Sequence, residues 1–240
     1  MQPQIGFGWA TRVIGFIELA TLAVPLAVMK VRVLPPAKRK LVDWSAFRDV
    51  PFLLFSFGGL IGFMGLYVPF FYTQYYSIST DITDANLGFY LLAILNAASV
   101  FGRVVPNFIA DKVGPLNVLF PCALITGVLT LCLLAIHSVG GIVVFAVLYG
   151  FFSGTFVSLP SAVFVKLSPH RGVVGTRIGM GFSVISIGVL IGTPIGGAIL
   201  GKVPNLHWND LFVYAGVLTL AGAVFFGLAG IAKSRLSREG

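Results

Sequence analysis

The hydrophobic residues of this chain fall into long, nearly continuous stretches separated by short polar segments. A helix needs about 20 residues, at about 1.5 Å each, to cross a hydrocarbon layer of about 30 Å, and seven stretches reach that length. They run approximately over residues 5–29, 50–78, 84–110, 116–137, 140–166, 174–200 and 209–232. Continuous rather than alternating hydrophobicity argues against a transmembrane β-barrel. The pattern therefore predicts an all-α integral membrane protein with seven transmembrane helices.

Composition excludes most other classes of protein. Of the 240 residues, 57% are hydrophobic and 10% are charged, whereas soluble domains carry about 25% charged residues. The chain has no phosphate-binding loop, zinc-protease motif or nucleophile elbow, so we expect no enzyme activity, no cofactor and no metal site. The net charge of +8 does not indicate a nucleic-acid partner, because the basic residues lie between the apolar stretches.

These basic residues lie almost entirely on one side of the predicted membrane. The loops after the first, third and fifth stretches and the C-terminal tail together hold 13 lysines and arginines, whereas the opposite loops hold only Lys202. Cytoplasmic loops of membrane proteins are enriched in lysine and arginine. The sequence therefore predicts an N-terminus outside and a C-terminus in the cytosol, with plasma membrane and vacuolar membrane left as alternatives.

The longest connection separates the first predicted helix from the other six. It contains two adjacent prolines and the run Lys38-Arg39-Lys40, and adjacent prolines and like charges disfavour packed structure. The basic run is either a topology determinant alone or also a contact for anionic lipid head groups. We divide the chain into a single transmembrane helix, a basic cytosolic linker and a six-helix unit, at residues 1–29, 30–49 and 50–240.

The six-helix unit divides further into two triplets, residues 50–137 and 140–232. Each triplet has an odd number of spans, so the two must have opposite topology, as in the inverted repeats of many secondary transporters. The opening span of each triplet carries a glycine followed ten residues later by a proline, namely Gly59 with Pro69 and Gly150 with Pro160. Interruptions in corresponding spans point to a binding site between the repeats.

Six short segments, at residues 6–12, 34–36, 101–106, 107–114, 175–180 and 192–197, together resemble the major facilitator superfamily, and within it the fungal monocarboxylate-transporter-like members. The loop Asn107-Phe-Ile-Ala-Asp111-Lys112-Val-Gly114 is similar to the superfamily's G-x-x-x-D-R/K-x-G signature, with Asn107 in place of the first glycine. Other similar segments are Phe101-Gly102-Arg103-Val-Val-Pro106, Gly175-Thr176-Arg177-x-Gly179-Met180, Gly192-Thr193-Pro194-Ile195-Gly196-Gly197, Gly6-Phe7-Gly8-Trp9-Ala10-x-Arg12 and Leu34-Pro35-Pro36. Together they cover nearly the whole chain, in the family's order.

The resemblance implies a twelve-helix bundle of two six-helix halves, of which this chain would supply helices six to twelve. Residues 50–240 would then form the C-terminal half, and the chain would be a fragment that requires a missing N-terminal half or a partner polypeptide. The implied function is transport of a small organic solute, a monocarboxylate-like anion, across the lipid bilayer. A coupling proton is left open, because Ser99 stands where animal monocarboxylate carriers place an aspartate.

A row of polar residues in the third span is the candidate substrate-binding site. Asn96, Ser99, Arg103 and Asn107 are spaced by 3, 4 and 4 residues, as on one face of a helix. Arg103 lies about 12 Å from the cytosolic end of the span, a costly depth for a charge, and a guanidinium matches a carboxylate. The resemblance assigns carboxylate binding to this arginine; snorkelling or a structural ion pair are the alternatives.

Two further charges, Arg12 and Glu18, lie inside the first span. A separation of six residues turns them about 120° apart, so they are poorly placed to pair on one helix. Arg12 either snorkels to the outer end or has another partner. Glu18, near the middle of the membrane, is interpreted either as a neutral, hydrogen-bonded acid or as part of a proton relay.

The loop after the third span is interpreted as a conformational latch. Asp111, Lys112 and Gly114 belong to the signature that, in the resembling family, stabilises one conformational state. Arg177, at the cytosolic start of the sixth span, is an alternative partner for Asp111.

A seven-helix receptor, which has the same topology, is the alternative to a transporter. The signature loop and the six-span unit after a basic linker argue against it.

Overall fold

A computed structural model of the chain describes residues 2–30 and 41–239. Most of the predicted linker, with its paired prolines and the run Lys38–Lys40, lies outside the described residues. The described part contains α1 Gln2–Val28, α2 Val50–Leu66, α3 Val68–Ser79, α4 Ala85–Val113, α5 Pro115–Cys132, α6 Val139–Leu167, α7 Val174–Leu200 and α8 Trp208–Glu239. Short 3₁₀ helices occupy Trp44–Arg48, Leu133–Ala135 and Arg171–Val173, and an antiparallel hairpin of β1 Gly201–Lys202 and β2 Asn205–Leu206 joins α7 to α8.

The seven predicted transmembrane helices are confirmed. In the described residues, seven helical segments are long and apolar enough to cross a membrane. They are Gly6–Val28, Val50–Ser79, Ala85–Val113, Pro115–Ala135, Val139–Leu167, Arg171–Leu200 and Trp208–Leu236. Each agrees with its predicted stretch to within a few residues, because an apolar run of this length has few alternatives to a spanning helix.

The chain divides into two compact units, Met1–Lys38 and Arg39–Gly240. The described residues of the first unit form α1, whose backbone is non-helical at Gly6. The described side chains of α1 are nearly all exposed, including large apolar ones. A helix that is hydrophobic on every side needs lipid or other helices around it. This pattern is consistent with α1 as a membrane span with further helix or lipid contacts.

In the second unit, the opening helix of each triplet packs against the middle helix of the other triplet. Accordingly, α2 packs on α7 and α6 packs on α4, while the closing helices α5 and α8 pack on each other. Glycines make the two equivalent crossings close: a Cβ on Gly188 of α7 would overlap the Leu60 carbonyl, and one on Gly102 of α4 would overlap the Phe151 carbonyl. Small residues at such crossings let helix backbones approach in membranes.

Proline interrupts the two opening spans differently. In the second span the helix breaks at Tyr67, where α2 ends and α3 begins with Pro69 in its first turn. Pro160, by contrast, lies inside the continuous helix α6. A side chain of α6 stabilises this break, because the buried Tyr149 hydroxyl donates a 2.6 Å hydrogen bond to the Leu66 carbonyl at the end of α2.

Candidate functional site

The helix α4 carries the predicted substrate-binding residues and has well-defined ends. Asp84 caps its N-terminus by accepting a 3.0 Å hydrogen bond from the Leu87 amide. Gly114 ends it with φ of 97°, a value that side chains disfavour, and Pro115 begins α5 directly afterwards. These two ends fix the helical register that places Arg103 inside the span.

The predicted polar row is divided between two environments. Ser99 is only 3% exposed, donates a 2.8 Å hydrogen bond to the Asn96 carbonyl and lies against Gly154 of α6. Asn107 donates to the Ser158 hydroxyl of α6 at 3.2 Å. Close packing of α6 on this side of α4 therefore covers Ser99, which a solute cannot contact in this conformation.

Asn96 and Arg103, in contrast, are exposed on the surface of the unit. The Asn96 amide donates to the Leu92 carbonyl, one turn earlier, at 2.9 Å. Arg103 forms no ion pair with any acidic side chain in the part of the chain that the structure describes. Of the predicted row, these two residues thus remain available to a solute.

The charge of Arg103 acts on the phenol of Tyr67, at the break between α2 and α3. Tyr67 is half-buried, and its ring packs against those of Phe63, Phe70 and Phe71. A free guanidinium can bind a carboxylate, and aromatic rings can contact the apolar body attached to it. Arg103 and the aromatic rings around Tyr67 are therefore the candidate solute site.

The signature loop lies at the C-terminal end of α4. Asp111 and Lys112 are exposed, and Gly114 donates its N–H to the Ala110 carbonyl at 2.8 Å. Asp111 has no ion-pair partner within residues 41–239. Its predicted role as a latch therefore stays a prediction.

Arg177 is the centre of a polar cluster at the basic end of the unit. It is 2% exposed, and its Nε donates to the Asp43 carboxylate at 2.8 Å while Nη1 donates to Asp49. Nη1 also donates to the Leu167 carbonyl at 3.0 Å, and Nη2 donates to the Ser45 hydroxyl at 3.1 Å. One guanidinium thus joins the Trp44–Arg48 turn and the adjoining ends of α2, α6 and α7.

The predicted alternative pairing of Arg177 with Asp111 is wrong in this structure, because Arg177 pairs with Asp43 and Asp49 instead. Asp43 and Asp49 occupy the guanidinium because they flank the Trp44–Arg48 turn, and Asp49 also caps α2 through the Phe52 amide. Sequence reasoning missed both acids, although an aspartate before a proline-containing first turn is an N-cap signal. The Ser45 hydroxyl and then Arg177 hold the pKa of Asp43 below its ordinary value of 3.8.

The two charged residues of α1 are not brought together. The Arg12 guanidinium lies 5.1 Å from the centre of the Trp9 ring, one turn earlier, as a cation–π contact. Glu18 is exposed and forms no ion pair within the described residues. Both interpretations of Glu18 therefore remain predictions.

The family model and the similar proteins indicate the same family for this chain. The model of the Major Facilitator Superfamily matches residues 90–238. The MFS-type transporter dbaD of Emericella nidulans is 50% identical over 225 residues, which cover 94% of this chain and 51% of that protein. The aspyridones efflux protein apdF of Emericella nidulans is 37% identical over 98% of this chain and 47% of that protein.

A further relative is the agnestins efflux protein AgnL12 of Paecilomyces divaricatus. It is 37% identical over 227 residues, which cover 94% of this chain and 51% of that protein. The chain thus spans about half the length of the curated relatives that it matches. Seven apolar helices and these similarities favour a membrane transporter over the seven-helix receptor.

Proposed function

Because this chain belongs to the major facilitator superfamily, we propose that it forms one half of a secondary transporter that works by alternating access. Residues 50–240 are the C-terminal six-helix half, and α1 is the last helix of the N-terminal half. Two observations support this assignment: the chain spans about half of its relatives, and α1 leaves nearly all of its described side chains exposed.

We propose that the six-helix half consists of the inverted repeats 50–137 and 140–232. The packing supports this division, because Leu60 and Phe151 directly follow the matched glycines Gly59 and Gly150. Each turns its carbonyl toward a glycine in the middle helix of the other triplet. A pseudo-twofold axis between the triplets relates the two crossings, and such repeats rock against each other during transport.

We propose that the solute is a small organic anion that the transporter exports. Two relatives are named as efflux proteins, for aspyridones and for agnestins. The observation that supports an anion is the exposed Arg103, which has no acidic partner within the described residues and whose charge acts on Tyr67 between α2 and α3. A guanidinium at that depth is stabilised by a carboxylate that enters the site.

We also propose that the basic side faces the cytosol, so that the C-terminus is cytosolic and the Lys202 hairpin is outside. The Arg177 cluster then stabilises the cytosolic ends of the half. In this orientation the Asp111–Gly114 loop is cytosolic as well, where it acts as a latch when the second half is present.

The anion proposal is tested by comparing solutes that differ only in charge. A transporter that contains these residues and both halves is purified, and its thermal midpoint is measured with benzoate or with benzamide. A bound ligand stabilises the folded state by mass action, so benzoate is expected to raise the midpoint and benzamide is not. Equal shifts with both compounds contradict an anion site.

Transport itself is tested with proteoliposomes loaded with labelled benzoate. Release that saturates with concentration and exceeds release from protein-free liposomes is expected. An excess of unlabelled benzoate should compete, whereas benzamide should not. Release equal to that of protein-free liposomes, from protein that benzoate stabilises, contradicts the transport proposal for this probe while leaving the anion site intact.

A further inference from the structure

A cavity lies at the basic end of the unit, where the start of α5 meets the ends of α6 and α8. Its volume is about 460 Å³, which is enough for a lipid head group. The residues that line it include Gly114, Asn117, Lys166, Gly230, Lys233 and Ser234. It lies on α5 and α8 rather than beside Arg103, so it is separate from the proposed solute site.

Two lysines give this cavity its charge. The Lys233 ammonium donates a 3.0 Å hydrogen bond to the Lys166 carbonyl, and the charges of the two lysines act on each other. Neither lysine forms an ion pair within residues 41–239. Asp49 also acts on Lys233 electrostatically, but that carboxylate is bound by Arg177. Two adjacent cations without a bound carboxylate attract an anion to the cavity.

The start of α5 adds to the positive potential. Its N-cap residue is Gly114, which has no side chain to accept hydrogen bonds from the amides of the first turn. Those amides and the helix dipole favour a negative group at this end. The helix end reinforces the lysines, which carry the larger charge.

An apolar groove continues from the charged cavity toward the membrane interior. A second cavity of about 530 Å³ shares Leu116, Asn117, Gly230 and Ser234 with the first. It extends between α5 and α8 along Phe120, Phe226 and Ile231, and Arg235 adds a third basic side chain to its lining. A charged pocket joined to an apolar groove matches a molecule with an anionic head and a hydrocarbon tail.

We propose that these two cavities form a binding site for an anionic phospholipid of the leaflet on the basic side. The phosphate lies between Lys166 and Lys233, and one acyl chain lies along the groove between α5 and α8. Basic pockets between transmembrane helices on the cytoplasmic side bind anionic head groups in this way. Soluble phosphate would occupy only the charged cavity and would gain nothing from the groove.

The test is lipid binding to the purified 240-residue chain in detergent, measured by native mass spectrometry. Phosphatidylserine is expected to bind with one preferred site, and phosphatidylcholine is expected to bind much more weakly. The double substitution Lys166→Gln with Lys233→Gln should weaken phosphatidylserine binding roughly thirtyfold, at about fivefold for each basic group near the membrane surface. The matched control is Arg171→Gln, an exposed basic residue of the same side outside both cavities.

A steric variant tests the site without a change of charge. A Cβ on Gly230 meets nothing within 4 Å, so Gly230→Leu fills the cavity without displacing the backbone. It should reduce phosphatidylserine binding while the chain keeps its helical circular dichroism. This variant also carries the test if the double lysine variant does not fold.

The remaining measurements separate a lipid from a soluble anion. Glycerophosphoserine, the head group without acyl chains, is expected to compete only weakly with phosphatidylserine. Competition as strong as that of the lipid itself would overturn the proposal in favour of a soluble phosphate site. Equal binding of phosphatidylcholine and phosphatidylserine, or unchanged binding in a folded Gly230→Leu protein, would overturn it as well.

Discussion

The Arg177 guanidinium and the Asp43 carboxylate are joined by a 2.8 Å hydrogen bond although they lie 134 residues apart. Asp43 precedes α2, and Arg177 lies in the first turn of α7. The bond, with those to Asp49 and Leu167, fastens the entry of the unit to the ends of α6 and α7. Arg177 therefore stabilises the arrangement of helix ends on this side of the membrane.

Replacement of Arg177 by methionine should destabilise the chain. Removal of one partner from a buried ion pair leaves a carboxylate without its cation, here two carboxylates that are 14% and 23% exposed. We expect a loss of about 3 kcal/mol, at the low end for buried pairs because both acids keep some contact with water. Thermal unfolding in detergent measures it, with the exposed Arg171→Met as control. A loss no larger than that of the control would contradict the structural role.

Acid should weaken the same cluster. The Asp43 pKa is lowered in the folded state, so its contribution to stability is present above the ordinary pKa of 3.8. It is lost as the pH falls through the lower folded pKa. The thermal midpoint should therefore fall as the pH is lowered below the ordinary Asp43 pKa of 3.8. Asp43→Asn should flatten that fall, and Ser45→Ala, which removes the largest cause of the shift, should flatten it in part. If the thermal midpoint of Asp43→Asn falls with pH as steeply as that of the parent, Asp43 is not the source of the pH dependence.

The close crossing of α4 and α6 should not tolerate an added methyl group. A Cβ on Gly102 overlaps the Phe151 carbonyl, which is backbone and cannot turn away. Gly102→Ala is expected to lower the free energy of unfolding by about 1–3 kcal/mol. Gly179→Ala is the matched control, since a Cβ there meets nothing within 4 Å and alanine favours a helix. A Gly102→Ala protein as stable as that control would show that the helices separate easily.

The seven spans and both ends of α4 could be predicted from the sequence, because long apolar runs, Asp84 and Gly114 act locally. The different effects of Pro69 and Pro160 could not be predicted. Each proline removes one backbone N–H from its helix, and only tertiary contacts decide whether the helix is interrupted there. Tyr149 supplies such a contact at the first of them.

Directions of side chains were harder to predict than helices. Spacing placed Asn96, Ser99 and Arg103 on one face, but a face is wide and α6 covers the side that carries Ser99. The partners of Arg177 could not be identified from the sequence, because residues that lie far apart in the chain leave no local pattern that indicates an ion pair. Only the position of Asp43 and Asp49 in an otherwise basic segment hinted at a nearby cation.

In a complete transporter, Arg103→Lys should impair anion binding although the charge is kept. A lysine ammonium cannot form the two parallel hydrogen bonds of a guanidinium to a carboxylate. Affinity for an anionic solute should fall roughly tenfold to a hundredfold, with a larger fall in Arg103→Ala. Lys112→Ala, in the predicted latch, should change turnover more than affinity. Equal affinity of Arg103→Lys and the parent, at matched surface expression, would make Arg103 a structural residue.

The proposed orientation predicts which loops are reached from outside. Cys122 and Cys132 are both free, so they are first replaced by alanine. A single cysteine at Lys202, in the exposed hairpin between α7 and α8, should react with an impermeant maleimide on intact cells. A single cysteine at Lys38 should react only after the membrane is opened. The reverse pattern would invert the topology.

The long chain separation within the Arg177 cluster also sets an order of events during synthesis. At about 5–20 residues per second, Arg177 is made roughly 7–27 s after Asp43. During that interval Asp43 and Asp49 lack the guanidinium that later binds them, and the end of α7 that closes the unit does not yet exist. The contacts of the Arg177 cluster can thus form only after the start of α7 has been made. A nascent chain that stalls earlier displays two unpaired carboxylates beside its basic segment, a feature that distinguishes it from the finished protein.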